Sequence, residues 1–238
     1  MMDRVAEPRS QRRDWAQGPL CDPRAPLAAS LATVLRERIM SGAYTPGTRL
    51  REVALQQEFA VSNGPIREAL QVLAADGLVM RQERRGVCVI EISAIEMQNL
   101  FEMRLGLFEL AAELAARRAG GGFAQRVAPI LKEMHDATVR GDVEAHHGIG
   151  FAFTCAVCEA SCNQNLLETW KRMMLRLRLA IYRSLREADV AAVVRIVDRL
   201  TGAICAGDVA SARAEARRLV RRHMHDLGLA TVLDDDGA

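Results

Sequence analysis

Between residues 27 and 92 the apolar positions recur first at helical and then at strand-like spacing. Leu31, Leu35, Ile39 and Met40 predict a first helix that ends near Ser41-Gly42. The stretch YTPGTRL interrupts it, with Pro46-Gly47 as the turn. Leu50, Val53, Leu55 and Phe59 then place an apolar side on a short second helix over about 50–59. After a break at Ala60-Val61-Ser62, a third helix is predicted from about Asn63 to Asp76, burying Ile66, Ala69, Leu70, Leu73 and Ala74. Ser62 is its expected N-cap, with the hydroxyl accepting a free backbone N–H. Pro65 falls in its first turn, where a missing N–H is tolerated, and Gly77 ends it. Two apolar, β-branched runs follow in LVMRQERRGVCVIEI, on either side of Glu83-Arg84-Arg85-Gly86. They predict a hairpin with Gly86 at the turn. Three helices and a hairpin make a winged helix-turn-helix over residues 27–92.

From Ala94 onward the pattern is helical almost throughout, with helices expected at 94–118, 122–140, 142–160, 163–186, 188–206 and 208–228. The breaks fall at Gly120-Gly121-Gly122, Arg140-Gly141-Asp142, Ser161-Cys162-Asn163 and Ala206-Gly207-Asp208. Two of them carry Gly-Asp, a helix stop followed by a new N-cap. The fold class expected is mainly α. A winged helix-turn-helix with a small β-hairpin is followed by an all-α bundle over residues 93–230, which is also the expected dimerisation domain. Residues 1–26 are basic and proline-rich and are expected to form a disordered arm. Residues 231–238 form an acidic tail.

Composition narrows the function. Half of the 238 residues are hydrophobic and only 4% are aromatic, which favours helices around a real core. The formal net charge is only +2, so a nucleic-acid contact has to rest on local charge. No run of eighteen apolar residues and no secretory signal is present, so no membrane span and a cytoplasmic location are expected. The six cysteines, Cys21, Cys88, Cys155, Cys158, Cys162 and Cys205, are then expected as free thiols. No nucleophile–base set, phosphate-binding glycine loop or HExxH motif appears, which argues against an enzyme.

The chemistry concentrates at the third helix. A helix-turn-helix presents the N-terminal residues of its second helix to base edges. Here these are Ser62, Asn63, Gly64, Pro65 and Arg67. Arg67 suits guanine or phosphate and Asn63 suits adenine. Ser62 and the open helix end suit a phosphate oxygen, and Gly64 permits close approach. Arg84, Arg85 and Gly86 at the hairpin tip, with Arg49 and Arg51 beside the second helix, are the remaining candidates for phosphate or minor-groove contact.

Residues 27–92 resemble the DNA-binding domain of GntR-type regulators. The likeness is carried by Pro46-Gly47-Thr48, Leu55, Val61-Ser62, Pro65, the run Ile66-Arg67-Glu68-Ala69-Leu70, Leu73, Gly77-Leu78-Val79 and Gly86. The remainder resembles the FCD effector domain of the FadR branch, through LFEMRLGLFELAAELAARRA, EASCNQNLLE and AICAGDVASA. The resemblance implies a homodimer on a pseudo-palindromic double-stranded operator, regulated by a small molecule and acting as a repressor. The chain departs from it in two places. The recognition helix opens with Ser62-Asn63-Gly64-Pro65 where the branch usually has Ser-Arg-Thr-Pro, and Val53 stands where a second arginine is common. The family's divalent-metal donors, an Asp, a His four residues later and two further His, align with Gly150, Thr154, Val197 and Leu219. No metal or other cofactor is therefore expected.

The resemblance implies an effector site around Arg104, with Thr154, Cys158, Asn163, Arg176 and His223 as further candidates. Arg104 suits a carboxylate. An internal ion pair with Glu102, Glu109 or Glu113 is the competing expectation. Phe108 replaces a common Glu, so a partly apolar effector is expected, or none. Asp142 with His146, and Cys158 with Cys162, have the i, i+4 spacing of half a metal site. Cys155, Cys158 and Cys162 share a helix face, which leaves an effector-independent or thiol-responsive regulator as the alternative.

Overall fold

The computed structural model describes residues 26–83, 85–181 and 189–229. The N-terminal arm, Cys21, Arg84, the expected end of the helix at 182–186 and the acidic tail lie outside them. The chain divides into two compact units, residues 1–91 and 92–238.

In the first unit, α1 (Leu27–Met40), α2 (Glu52–Phe59) and α3 (Asn63–Ala75) pack around Leu31, Leu35, Ile39, Leu55, Phe59, Ile66 and Leu73, all buried. Strands β2 (Val79–Gln82) and β3 (Gly86–Val89) form the expected antiparallel hairpin. A third strand, β1 (Arg49–Leu50), pairs with β3 in the order β1-β3-β2. Two residues are too few to show alternation, so this strand has no periodic signature. Leu50 consequently anchors the sheet, and α2 begins only at Glu52. That shift also corrects the placement of Val53. It is 65% exposed, because a helix starting at Glu52 turns Leu55 and Phe59 inward and Val53 out. Ala74 is likewise exposed.

The turn between α2 and α3 rests on Ala60, which takes the left-handed conformation (φ 51°, ψ 44°). Ser62 stands at the N-cap in an extended conformation, yet its side chain makes no capping bond. The reason is local. A capping hydroxyl accepts from the second or third helical N–H. The third helical residue here is Pro65, which has none, so only the Gly64 N–H remains to be capped. The buried stripe of α3 faces α1 and α2, with Gly77 (φ 70°) closing the helix.

The second unit holds six helices among its described residues: α4 (Ala94–Arg118), α5 (Phe123–Arg140), α6 (Val143–Ala160), α7 (Gln164–Ile181), α8 (Val190–Ala206) and α9 (Val209–Asp226). A single 3-10 turn at Gly120–Gly122 joins α4 to α5. The Gly-Asp breaks work as their chemistry dictates. Gly141 and Gly207 end α5 and α8 in the left-handed region. Asp142 and Asp208 accept from the backbone N–H of Ala145 and Ser211 at 3.0 Å. Asp189 caps α8 in the same way. A continuous core runs through all six helices, with Trp170, Phe101, Phe108, Phe123 and Phe153 fully buried.

A left-handed residue with a Cβ costs about 1–2 kcal/mol relative to glycine. Ala60→Gly is expected to raise the unfolding free energy of the first unit by about 1 kcal/mol, less the extra entropy of glycine in the unfolded chain. Urea denaturation of the full chain measures it, and a destabilised variant would show that the methyl group packs usefully at the turn.

Candidate nucleic-acid interface and buried cation site

The outer face of α3 carries Asn63, Gly64, Arg67, Glu68 and Gln71, all exposed. Two contacts set its geometry. Gln56 of α2 donates to Asn63 Oδ1 at 3.3 Å, which ties the first residue of the recognition helix to the helix before it. Glu52 lies between two arginines, 3.8 Å from Arg67 Nε and 3.6 Å from Arg81 Nη2. One carboxylate at the start of α2 thereby gathers a recognition-helix cation and a strand cation. Neither Glu52 nor Arg81 stands out in the sequence, because their encounter depends on how α2, α3 and β2 meet.

The remaining candidates group at the sheet. Arg49 on β1 approaches the hairpin, where a Cβ added to Gly86 (φ 78°) would lie 3.8 Å from its Nε and Nη2. Arg85 and Arg51 are exposed. Other arginines of this unit are structural. Arg36 pairs with Asp76 at 2.6 Å. Arg38 pairs with Glu58, donates to Tyr44 at 3.1 Å and lies 4.9 Å over the Phe59 ring. Asn63, Arg67 and Arg81 are exposed, and so is Val53 near the start of α2.

The second unit contains a different kind of site. Arg104 on α4 is 3% exposed. Its guanidinium lies 5.2 Å from the Phe101 ring centre and 5.8 Å from that of Trp170, which itself stacks on Phe108 at 5.0 Å. Arg104 Nη2 meets His223 Nδ1 on α9 at 3.1 Å, and Arg104 Nε has no partner. The three glutamates considered as internal partners are engaged elsewhere. Glu102 accepts from Gln98. Glu109 takes a bidentate contact from Arg217 at 2.7 and 2.9 Å. Glu113 pairs with Arg117 and Arg213. No carboxylate among the described residues neutralises Arg104, and burial lowers its pKa to about 10, with Cys158 nearby opposing the shift.

Histidines surround it. Burial and then the charge of Arg104 hold His223 well below the usual histidine range, with His147, His146 and Arg222 adding to the effect. Burial and then His147 lower His146 to about 4. Of the candidate effector residues, Arg104, Cys158 and His223 therefore come together. Thr154 lies one turn from Cys158, with its hydroxyl donating to Phe151 O at 3.0 Å. Asn163 is committed to capping α7 through Leu166 N–H, and Arg176 is paired with Glu96. Asp142 caps α6 through Ala145 N–H and is exposed, while His146 is buried.

The family-type metal does not fit these residues. Gly150, Val197 and Leu219 carry no donor, the Thr154 hydroxyl is used, and the described residues hold no cluster of three metal-ligating side chains. The thiol alternative meets a physical obstacle, because burial raises Cys155 to about 11 and Cys158 further still. Such thiols stay protonated and unreactive near neutral pH.

A winged helix-turn-helix with an exposed third helix, on a chain that also carries an all-α unit, has the architecture of a DNA-binding regulator with a second, helical domain. The model of the bacterial regulatory proteins of the gntR family matches residues 27–89, and that of the FCD domain matches residues 99–225. The chain belongs to the GntR family of transcriptional regulators, in its FCD branch. It is 30% identical to the HTH-type transcriptional regulator LutR of Bacillus subtilis (strain 168) over 74% of this chain and 90% of that one. It is 36% identical to the gluconate operon transcriptional repressor of Bacillus licheniformis, over 47% of this chain and 45% of the repressor, less than half of either. The solved structure of E. coli McbR/YncC shares the fold at a TM-score of 0.72, with 20% identity over 86% of this chain and 98% of that one. No helix among the described residues is long and apolar enough to cross a membrane.

Two measurements check the site. Arg67→Ala is expected to weaken binding to a selected operator by about 1–3 kcal/mol, or tenfold and more. Glu52→Gln is expected to release two arginines, so that binding to random DNA tightens and its salt dependence steepens while discrimination falls. Fluorescence anisotropy across a salt series reads both.

The histidines set a pH dependence. His146 and His223 resist protonation when folded, so the unfolded chain binds more protons below about pH 6.5. Stability is then expected to rise with pH through this window and to fall as the pH drops from about 6.5 towards 4. His146→Leu is expected to flatten the acid limb of the urea midpoint against pH.

Proposed function

We propose that the chain represses transcription as a homodimer bound to a pseudo-palindromic double-stranded operator, and that a small metabolite held in the helical unit shifts that binding. The observation that carries the DNA half is the convergence of Arg67 and Arg81 on Glu52 beside exposed Asn63 and Val53. One recognition helix reads only a half-site. Two copies spaced to meet major grooves about one helical turn apart supply the rest. Repression is supported by the relatives described as repressors, the gluconate operon protein among them.

The effector half rests on Arg104. A buried cation without a counter-ion is costly to a fold unless something supplies the opposite charge. Binding of that group favours whichever arrangement of the dimer presents it best, which is a shift of population. The Asn63 and Val53 positions support an operator preference distinct from that of relatives with arginine there.

The test is selection from random double-stranded DNA with the purified full chain, followed by sedimentation of the free and bound protein. The expected result is a two-fold symmetric motif and a dimer in both states, with affinity falling steeply as salt rises. A monomer that protects one half-site would overturn the dimer, and salt-insensitive binding would overturn the phosphate contacts.

A further inference from the structure

Helices α8 and α9 bury one face each in the bundle and share a groove on another. Ala192, Arg195, Ile196 and Arg199 of α8 line it, opposite Arg218, Arg221, Arg222 and His225 of α9. Both sets recur at three- and four-residue intervals, so each forms one stripe along its helix. The groove has a volume of about 410 Å³, within the range of small-molecule sites. Its described lining carries five guanidinium groups and a histidine, and no carboxylate. Buried Ile196 and half-buried Ala192 supply its apolar part. Arg104 and His223 do not line it.

The nearby carboxylates position these arginines. Glu215, buried on α9, accepts from Arg218 of its own helix and pairs with Arg199 of α8 at 3.0 Å. One carboxylate thus fixes a guanidinium on each side of the groove. Asp226 holds Arg222 at 2.9 Å and lies 3.6 Å from His225 Nδ1. Asp189, at the head of α8, accepts from the Ala192 N–H, and Asp198 pairs with His135 of α5. A guanidinium has five N–H donors, so single contacts of this kind leave most of them for a ligand. Arg195 is exposed and forms no ion pair among the described residues.

Positioned guanidinium groups on two facing stripes suit an anion with acceptor oxygens along its length. A single carboxylate satisfies one arginine bidentately. A linear polyphosphate carries charge and acceptors on every phosphorus and meets both stripes at once. A DNA duplex is a convex rod far wider than this groove and does not enter it. We propose that the α8–α9 groove binds a small ligand carrying a linear polyphosphate group. The arginines hold the phosphates, and Ile196 and Ala192 receive the less polar remainder of the ligand. The site is independent of the effector reading of Arg104.

Calorimetry on the full chain tests this with tripolyphosphate, inorganic phosphate and a random DNA duplex as probes. One tripolyphosphate is expected to bind per chain, at least tenfold more tightly than inorganic phosphate, and to raise the thermal midpoint. Arg195→Gln is expected to weaken that binding roughly tenfold, the loss of one charge-assisted contact, and Arg195→Glu to weaken it further. Both leave the fold intact, because Arg195 is exposed and holds no partner among the described residues. Arg172→Gln, on α7 outside the groove, is expected to change nothing. Arg67→Ala is expected to keep tripolyphosphate binding, which separates the groove from the DNA-reading face. Binding lost in Arg67→Ala and kept in Arg195→Gln places the phosphates at the reading face and overturns the proposal. Equal affinity for inorganic phosphate overturns the polyphosphate class. A loss of duplex binding in Arg195→Gln with tripolyphosphate binding unchanged makes the groove a contact for nucleic-acid backbone and also overturns it.

Discussion

Two helices approach each other only as closely as the side chains between them allow, and the helical unit depends on that limit. Along α4, Ala111, Ala112, Ala115 and Ala116 are buried, and α9 buries Ala212 and Ala216. The two helices make the most extensive helix pairing of the unit. At the far end of this seam the α8–α9 turn closes down, where a Cβ on Gly207 would lie 3.6 Å from the Ala116 carbonyl oxygen. Arg217 clamps Glu109 across it with two hydrogen bonds. Small residues set the spacing, the bidentate pair fixes the register, and Arg104 meets His223 as a result. The aromatic residues then fill the space around that meeting point instead of separating the helices.

Charge is distributed by the same logic. Many arginines of the chain are structural. Arg36 and Arg38 brace the first unit, Arg213 and Arg217 brace α9 against Glu109 of α4, and Arg218 pairs with Glu215 within α9. Exposed pairs of this kind contribute little each, but they use up carboxylates. What remains without a carboxylate partner is informative for that reason. Among the described residues of the second unit Arg104, deep in the core, is one such cation. In the first unit the cations at the reading face share one glutamate, which is a weaker hold than a dedicated pair. DNA phosphates compete readily for such arginines, because they bring a higher density of negative charge.

The sequence exposes what is local. Gly-Asp junctions mark the ends of α5 and α8 because a left-handed glycine and an aspartate cap are both near-neighbour effects. Pro65, Gly77 and Gly86 punctuate the helix-turn-helix and hairpin for similar reasons. The β1 strand is silent because two residues carry no period, and that silence misplaced the start of α2 and the facing of Val53. Pro65 removes one of the two N–H groups the Ser62 hydroxyl could cap, a detail readable in the sequence, and the structure shows no bond to the other, on Gly64. The cation site was legible only as Arg104 and His223 separately. They are 119 residues apart, and only the packing of α4 on α9 joins them. The engagement of Glu102, Glu109 and Glu113 elsewhere is likewise a property of the folded surface.

The Gly120–Gly122 turn has a practical consequence. Its three glycines are exposed, and a Cβ at any of them would meet nothing within 4 Å. The other glycine junction of α4's neighbourhood, Gly207, is pressed against a carbonyl. Gly120 takes the left-handed conformation (φ 56°) and is best kept, but a side chain or fluorophore attached at Gly121 or Gly122 projects into solvent without disturbing the α4–α9 seam. It offers the chain's own attachment point for an optical probe of what happens inside the bundle.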